Sequence, residues 1–299
     1  MMNHKLKDLK KDMMSKYSKH LIVSADSMGS NLVKFYKSVQ HVKSTNEGKF
    51  FSNFDKLPDP FPIWPELLAE KLNLNNINLS IPGLGNRAIF ERAVDEISKY
   101  NPNDIGLVVI MWSEWTRVDI RVPRYNKYFR VRGRDRVHEI IHKTNYLDKL
   151  NKLDTYEFIK MITDLNLMYV YMLQNYLDNL NIKHIMISGL NPIADNRQIE
   201  KFGVELEKNY ERYLIDHILD SHFFELIDKK NYIGFPGFKK TGGFSYDNYL
   251  GKLDKDRSKT RIGNAFKIIG RPFDMHPNEY GNKLGFELIY EHYKKTFKI

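Results

Sequence analysis

HLIVSADS, residues 20–27, is the stretch that decides the fold. Its first six residues are mostly apolar and bounded by polar ones, and a short run of this kind predicts a buried strand. A helical pattern begins at Asn31, so Ser27 falls in a tight turn between a strand and a helix. A serine in that position is a candidate nucleophile, although an Asp-Ser pair after a strand is also a common helix N-cap.

Further strands alternate with helical patterns along the chain. Apolar stretches predict strands at 77–81, 104–112 and 184–190, and FFELI (223–227) is a further apolar segment. After Asp104, stretch 104–112 is continuously apolar, as a central parallel strand should be. Helical periodicity predicts helices at 64–72, 86–97, 155–180, 197–219 and 278–297. The alternation predicts an α/β fold, a three-layer α/β/α sandwich with a mainly parallel, flavodoxin-like sheet of about five strands.

The domain organisation follows from the same pattern. We expect a basic N-terminal arm or short helix at 1–18, and a single domain over 19–299 with insertions at about 118–150 and 228–270. The basic start has no apolar core and no small-residue cleavage site, so we expect no signal peptide. No apolar run approaches the roughly 20 residues of a membrane helix, so we expect no membrane partner.

Charge and cysteine content exclude some kinds of chemistry. The chain contains no cysteine, which rules out disulfides, thiolate zinc sites and a cysteine nucleophile. Its net charge is +10, and segment 117–143 concentrates nine Lys/Arg against three acids. Tyrosines and a phenylalanine lie among these cations, as in surfaces that bind single-stranded nucleic acid. We favour a solvated basic flap over a nucleic-acid site.

Polar or small residues follow the predicted strands where a site would form. Parallel sheets bind ligands at the carboxyl ends of their strands, where Ser27, Gly83 and Ser113 fall; Asp274 and His276 precede the last helix. A serine nucleophile needs a base, an acid that orients the base, and oxyanion donors. Taken singly, these residues have ordinary explanations as turn glycines, caps or surface side chains. We find no metal cluster and no nucleotide-binding motif, and expect no cofactor.

The order of these segments resembles the SGNH/GDSL hydrolase superfamily. The matching blocks are Ala25-Asp26-Ser27, Asn78 to Gly83, Trp112-Ser113-Glu114, and Asp274-Met-His276-Pro277. A finer resemblance is to SGNH-like proteins of tailed phages, through Pro82-Gly83-Leu84-Gly85-Asn86, Trp112-Ser113 with Arg117, and Asp274 to Gly281.

The resemblance implies a role for each residue. Ser27 would be the nucleophile, His276 the base and Asp274 the acid that orients it. The amides of Ser27 and Gly83 would bind the oxyanion, with Ser113 or Asn86 as a further donor. Arg117 would bind substrate or form a salt bridge that fixes its loop.

Three departures from the family pattern affect this interpretation. The first block has Ala25 in place of glycine, and Ser113 stands where the family has an asparagine that donates to the oxyanion. Asp274 and His276 are two residues apart rather than three, so a backbone carbonyl could orient the histidine instead of Asp274.

Three functional hypotheses remain open at this point. The first is a serine esterase that acts on an ester-bearing small molecule or deacetylates a cell-surface or capsular glycan. The second is a catalytically impaired SGNH scaffold with a structural or binding role, in contact with virion proteins. The third, which we favour least, is a nucleic-acid-binding module. We expect the protein in the host cytoplasm or in a phage particle.

Overall fold

Nine strands and eight α-helices make up the described part of the chain. The computed structural model describes residues 18–43, 57–115, 117–122, 127–132, 155–192, 210–265 and 274–299. The strands are β1 (His20–Ala25), β2 (Asn75–Asn78), β3 (Ile105–Trp112), β4 (Arg117–Val122), β5 (Lys127–Arg132), β6 (His184–Ser188), β7 (Tyr232–Ile233), β8 (Arg261–Gly263) and β9 (Asp274–Pro277). The helices are α1 (Leu32–Lys43), α2 (Trp64–Leu72), α3 (Asn86–Ile97), α4 (Thr155–Asn179), α5 (Tyr210–Asp220), α6 (His222–Leu226), α7 (Tyr246–Leu253) and α8 (Glu279–Phe297).

A five-stranded parallel sheet lies at the centre, in the order β2-β1-β3-β6-β7. This is the flavodoxin-like order in which the first strand lies beside both the second and the third. The register aligns Ala25 with Met111 and Trp112 with Ser188. The carboxyl ends of the central strands therefore meet at one edge, where Ser27 and Ser113 follow them.

Each face of the sheet is covered by its own apolar core. Alternate strand residues such as Ile22, Val108 and Ile110 pack with the inner faces of α3 and α4. Their neighbours Leu21 and Val23 pack on the opposite face with residues of α2, α7 and α8. The alternation follows from the two-residue period of a strand. The predicted three-layer α/β/α architecture is confirmed.

Helices α7 and α8 approach closely through Tyr246, whose side chain is fully buried. Its hydroxyl donates to the carbonyl of Gly281 at 2.7 Å. Burial raises the pKa of Tyr246, so the hydroxyl keeps its proton and remains a donor. A Cβ at Gly285 would lie 2.5 Å from the same hydroxyl. The packing thus requires a residue without a side chain at that turn of α8.

Two predicted elements differ from the structure. The second strand covers Asn75–Asn78 rather than 77–81. The segment 223–227 lies mainly in α6, and the fifth strand is Tyr232–Ile233, inside the predicted 228–270 insertion. That insertion also contains α7 and β8, so its described part is more regular than a loop.

Parts of several predictions lie outside the described residues. These are the N-terminal arm up to residue 17, positions 197–209 of the predicted fifth helix, positions 123–126 and 133–150 of the first insertion, and positions 266–270 of the second. Among the residues that are described, each helix is too short or too polar to span a lipid bilayer. Within the same ranges, no group of three or more His, Asp or Glu side chains is placed to hold a metal.

Candidate active site

Ser27 begins a single 3₁₀ turn, Ser27–Gly29, directly after β1. The preceding Asp26 caps this turn, because its carboxylate accepts from the backbone N–H of Met28 at 2.9 Å. A Cβ at Gly29 would lie 2.7 Å from both the Ala25 Cβ and the Ser80 Oγ. Glycine at position 29 therefore allows the turn to pack this tightly.

His276 connects the serine to an aspartate. Its Nε2 lies 2.7 Å from the Ser27 Oγ, and its Nδ1 lies 2.6 Å from Asp274 Oδ1. The Asp274 carboxylate can only accept, so the Nδ1 atom carries the proton and donates it. Nε2 is then left with a lone pair that accepts from the Ser27 hydroxyl. This is the tautomer that a general base needs.

The two-residue spacing of Asp274 and His276 is explained by β9. These residues lie on a short extended strand that pairs antiparallel with β8. In a strand, residues i and i+2 point to the same side. Asp274 Oδ1 also accepts from the backbone N–H of His276 at 2.9 Å. A carboxylate two residues earlier can therefore orient the imidazole, and no backbone carbonyl is needed for this.

Burial differs between the two partners. The Asp274 side chain is 4% exposed, whereas that of His276 is 24% exposed. The acid is thus withdrawn from water, which strengthens its attraction for a protonated imidazole. The base stays open on one side, where a substrate could enter.

Trp64, at the start of α2, connects the two halves of the site. Its indole N–H donates to the carbonyl of Met28, and its backbone N–H donates to Asn282 Oδ1. Asn282 in turn donates from Nδ2 to the carbonyl of Pro277, the last residue of β9. Trp64 therefore contacts both the serine turn and the helix that follows the histidine strand.

The second block of the sequence resemblance, Asn78 to Gly83, lies beside the serine turn. The backbone N–H groups of Leu79 and Ile81 donate to the carbonyls of Val23 and Ala25, extending the chain along β1 beyond β2. The chain then turns at Gly83, whose φ of +91° lies in the left-handed region that favours glycine. The loop that carries Gly83 thus begins beside the carboxyl end of β1, which Ser27 follows.

The third block of the sequence resemblance, Trp112 to Glu114, is turned towards the interior. Ser113 is fully buried, its Oγ donates to Asp26 Oδ2 at 2.8 Å, and its N–H donates to Asn86 Oδ1 at 2.7 Å. The Asn86 amide nitrogen donates to the Ser113 carbonyl and to Asn166 Oδ1. Arg117 Nη1 lies 2.7 Å from Asp26 Oδ2. Protein groups therefore engage the Ser113 hydroxyl and the Asn86 carboxamide.

Five of the predicted site residues thus form two groups. Ser27, His276 and Asp274 lie in one hydrogen-bonded row, whereas Ser113 and Arg117 converge on Asp26. The sequence interpretation did not single out Asp26 as a site residue, although it quoted it within the first block. Its partners are 87 and 91 positions away along the chain, so no local spacing reveals them.

The described part of the basic segment 117–143 is a pair of antiparallel strands. Strands β4 and β5 pair antiparallel from Arg117 opposite Arg132 to Val122 opposite Lys127. Residues 123–126 and 133–143 lie outside the described part of the chain. Arg117, the first cation of the segment, pairs with Asp26 and faces the protein interior.

Comparison with known proteins gives matches among solved structures alone. No protein-family model matches the chain, and no curated protein matches it. A psychrotrophic esterase, EstA, from Pseudoalteromonas sp. has a TM-score of 0.42 and 11% identity, over 94% of this chain and 100% of that one.

Two further solved structures are similar at the same level. A member of the lipolytic G-D-S-L family from Veillonella parvula has a TM-score of 0.35 and 12% identity, over 91% of this chain and 97% of that one. An alpha/beta hydrolase enzyme from the metagenome of Lake Arreo has a TM-score of 0.38 and 11% identity, over 92% of this chain and 95% of that one. All three TM-scores are below 0.5, so these likenesses carry no conclusion about this chain.

Proposed function

We propose that the protein is a serine esterase of the SGNH type. The observation that carries this proposal is the row Ser27 Oγ–His276 Nε2–His276 Nδ1–Asp274 Oδ1, with contacts of 2.7 Å and 2.6 Å. These are the distances at which a nucleophile, a base and an orienting acid act as a unit. The SGNH assignment rests on the order of the sequence blocks.

In the proposed reaction, Ser27 Oγ attacks the ester carbonyl carbon while His276 Nε2 takes the hydroxyl proton. The tetrahedral intermediate collapses, the bond to the alcohol oxygen breaks, and His276 returns the proton to the leaving alcohol. Water then attacks the acyl-serine with His276 again as base, which releases the acid and restores Ser27. Asp274 stabilises the imidazolium that forms in each half of the reaction.

The oxyanion is proposed to bind to the backbone N–H groups of Ser27 and Gly83. The side chains of Ser113 and Asn86, which the sequence suggested as further donors, are engaged by other groups in the structure. Losing one oxyanion donor costs on the order of 100- to 1,000-fold in rate. We therefore expect slower turnover than in an enzyme with three donors.

The substrate and the setting are also proposals. We propose a short acyl ester, with acetyl groups on a cell-surface or capsular carbohydrate as the biological substrate. We propose the host cytoplasm or a phage particle as the place of action, with virion proteins as partners in the second case. Both rest on the sequence resemblance to phage proteins.

The test is hydrolysis of p-nitrophenyl acetate by the wild-type protein and by Ser27→Ala. We expect a wild-type rate that vanishes in Ser27→Ala and is unchanged in the control Ser98→Ala, whose exposed hydroxyl bonds to the Asp95 carbonyl at the end of α3. Release of acetate from acetylated xylan would then test the carbohydrate proposal. Equal slow rates in wild type and Ser27→Ala would contradict the esterase proposal.

A second candidate function is a binding or structural scaffold with impaired catalysis. The engaged hydroxyl of Ser113 and carboxamide of Asn86 favour it, because they leave no side chain of the predicted set to complete the oxyanion site. An alkyl fluorophosphonate separates the two functions, since it reacts with an activated serine whatever the natural substrate is. A mass increase on the Ser27 peptide supports the enzyme, and an unmodified peptide supports the scaffold.

A further inference from the structure

Asp26, the residue before Ser27, accepts three hydrogen bonds, two of them from distant parts of the chain. One carboxylate oxygen accepts from the Met28 N–H at 2.9 Å. The other accepts from Ser113 Oγ at 2.8 Å and from Arg117 Nη1 at 2.7 Å. We call Asp26, Ser113 and Arg117 the Asp26 cluster.

The Asp26 cluster is withdrawn from solvent. The side chains of Asp26 and Arg117 are 0% and 7% exposed, and Ser113 is fully buried. Arg117 Nε also lies 3.5 Å from a carboxylate oxygen of Glu114. A buried cation with two carboxylate neighbours is poorly placed to bind a substrate, and a buried ion pair is tolerated only when its geometry satisfies both partners.

The carboxylate that Ser113 and Arg117 hold is the one that fixes the serine turn. Asp26 precedes Ser27 and its side chain bonds to the residue that follows Ser27, so it spans the nucleophile. Movement of this carboxylate would shift the Ser27 Oγ away from His276 Nε2. A misplacement of about 1 Å in a reacting group can cost on the order of 100-fold in rate.

We propose that Ser113 and Arg117 are positioning residues that act through Asp26 to hold Ser27 in line with His276. This inference rests on the proposed function of Ser27 as a nucleophile. It gives the third block a role that requires contact with neither substrate nor oxyanion. It also connects the start of β4 to the serine turn.

The test measures Arg117→Met, Ser113→Ala and Asp26→Asn as single variants. Two double variants combine Asp26→Asn with Arg117→Met and with Ser113→Ala. For each variant, kcat and KM for p-nitrophenyl acetate and the melting temperature are measured. Arg87→Met is the matched control, because Arg87 is a partly exposed arginine of α3 that pairs with Glu91. We expect Arg117→Met and Ser113→Ala to lower kcat by on the order of 10- to 100-fold with KM nearly unchanged.

The pairs distinguish positioning from direct action. If both residues act through Asp26, adding either substitution to Asp26→Asn should change kcat by less than about threefold. A loss from Ser113→Ala that is equally large in both backgrounds would make Ser113 an independent donor and overturn the proposal. A raised KM with unchanged kcat in Arg117→Met would make Arg117 a substrate contact, with the same consequence.

Three further outcomes have a defined interpretation. If Arg117→Met does not fold, Ser113→Ala, which keeps both buried charges, carries the test with its pair. A wild-type rate that Ser27→Ala does not abolish would overturn the proposed function and this inference together. If the rate depends on Ser27 but the second substitution lowers kcat as much in Asp26→Asn as in the wild type, the positioning role alone is overturned.

Discussion

Replacing Asp274 with asparagine removes the charge that faces His276 while keeping the shape of the side chain. The carboxamide oxygen of Asp274→Asn can still accept from the His276 backbone N–H, now bonded at 2.9 Å. The fold of β9 should therefore survive. The loss should fall on the step in which His276 becomes positively charged.

The size of that loss follows from the geometry. Asp274 Oδ1 lies 2.6 Å from Nδ1, and the Asp274 side chain is 4% exposed. With charge centres about 4 Å apart and an effective dielectric constant of about 20, the attraction is about 4 kcal/mol. Each 1.36 kcal/mol in a barrier changes the rate about tenfold, so we expect kcat to fall on the order of 1,000-fold.

The assay is the steady-state hydrolysis of p-nitrophenyl acetate, with the melting temperature followed by circular dichroism. Asp59→Asn is the matched control, because the Asp59 side chain is fully exposed and its pairing with Lys37 spans 3.5 Å. KM should stay near the wild-type value in both variants. A folded Asp274→Asn protein that keeps more than about a tenth of the wild-type kcat would refute the assignment of Asp274 as the stabilising acid.

Three further substitutions test the packing around the site. Gly29→Ala introduces a Cβ 2.7 Å from two neighbouring atoms. We therefore expect the free energy of unfolding to fall by about 1–3 kcal/mol and the rate of ester hydrolysis to fall with it. Urea unfolding at the wild-type midpoint would contradict this expectation. Tyr246→Phe removes a buried hydrogen bond to Gly281 and should cost about 1 kcal/mol while kcat is kept, and a changed kcat would be the unexpected result. Asn86→Ala leaves the backbone N–H and carbonyl of Ser113 without their carboxamide partner, and should cost about 3 kcal/mol by urea unfolding; a loss below about 1 kcal/mol would mean that the loop adjusts.

Local patterns predicted the elements whose signal is complete within a few residues. The strand at 20–25 and the helices at 64–72 and 86–97 occur with the predicted bounds. Each combines a clear apolar pattern with a residue that marks a boundary, such as the proline in the first turn of α2 or the glycine before α3. Such signals need no tertiary information.

The fifth strand could not be found in this way. Tyr232–Ile233 contains two residues, too few for any period to be recognised, and it pairs with β6 at the edge of the sheet. The neighbouring segment 223–227 is more apolar, but its Phe224 packs from α6 into the core on the α4 side of the sheet. Tertiary packing, and not apolar composition, decided which of the two segments joined the sheet.

The site shows the same division between local and distant information. The resemblance identified Ser27, Asp274 and His276 as a set, and the structure places them within hydrogen-bonding distance. The Asp274–His276 spacing becomes understandable only when the strand conformation of β9 is known. The Asp26 cluster depends on contacts between the serine turn and two residues after β3, and no pattern in the sequence carries that information.

The hydrogen bond between His276 and Ser27 joins positions 249 residues apart. β9, which carries the histidine, is a four-residue strand paired with β8 in a separate two-stranded sheet, whereas β1 lies inside the central sheet between β2 and β3. Short segments with few core contacts open at lower free energy than the strands of the core. Low concentrations of urea should therefore separate His276 from Ser27 and abolish turnover. The far-ultraviolet circular dichroism of the sheet and helices should then still be nearly native. Esterase activity would in that case report on the docking of the C-terminal segment, and inactivation would precede global unfolding.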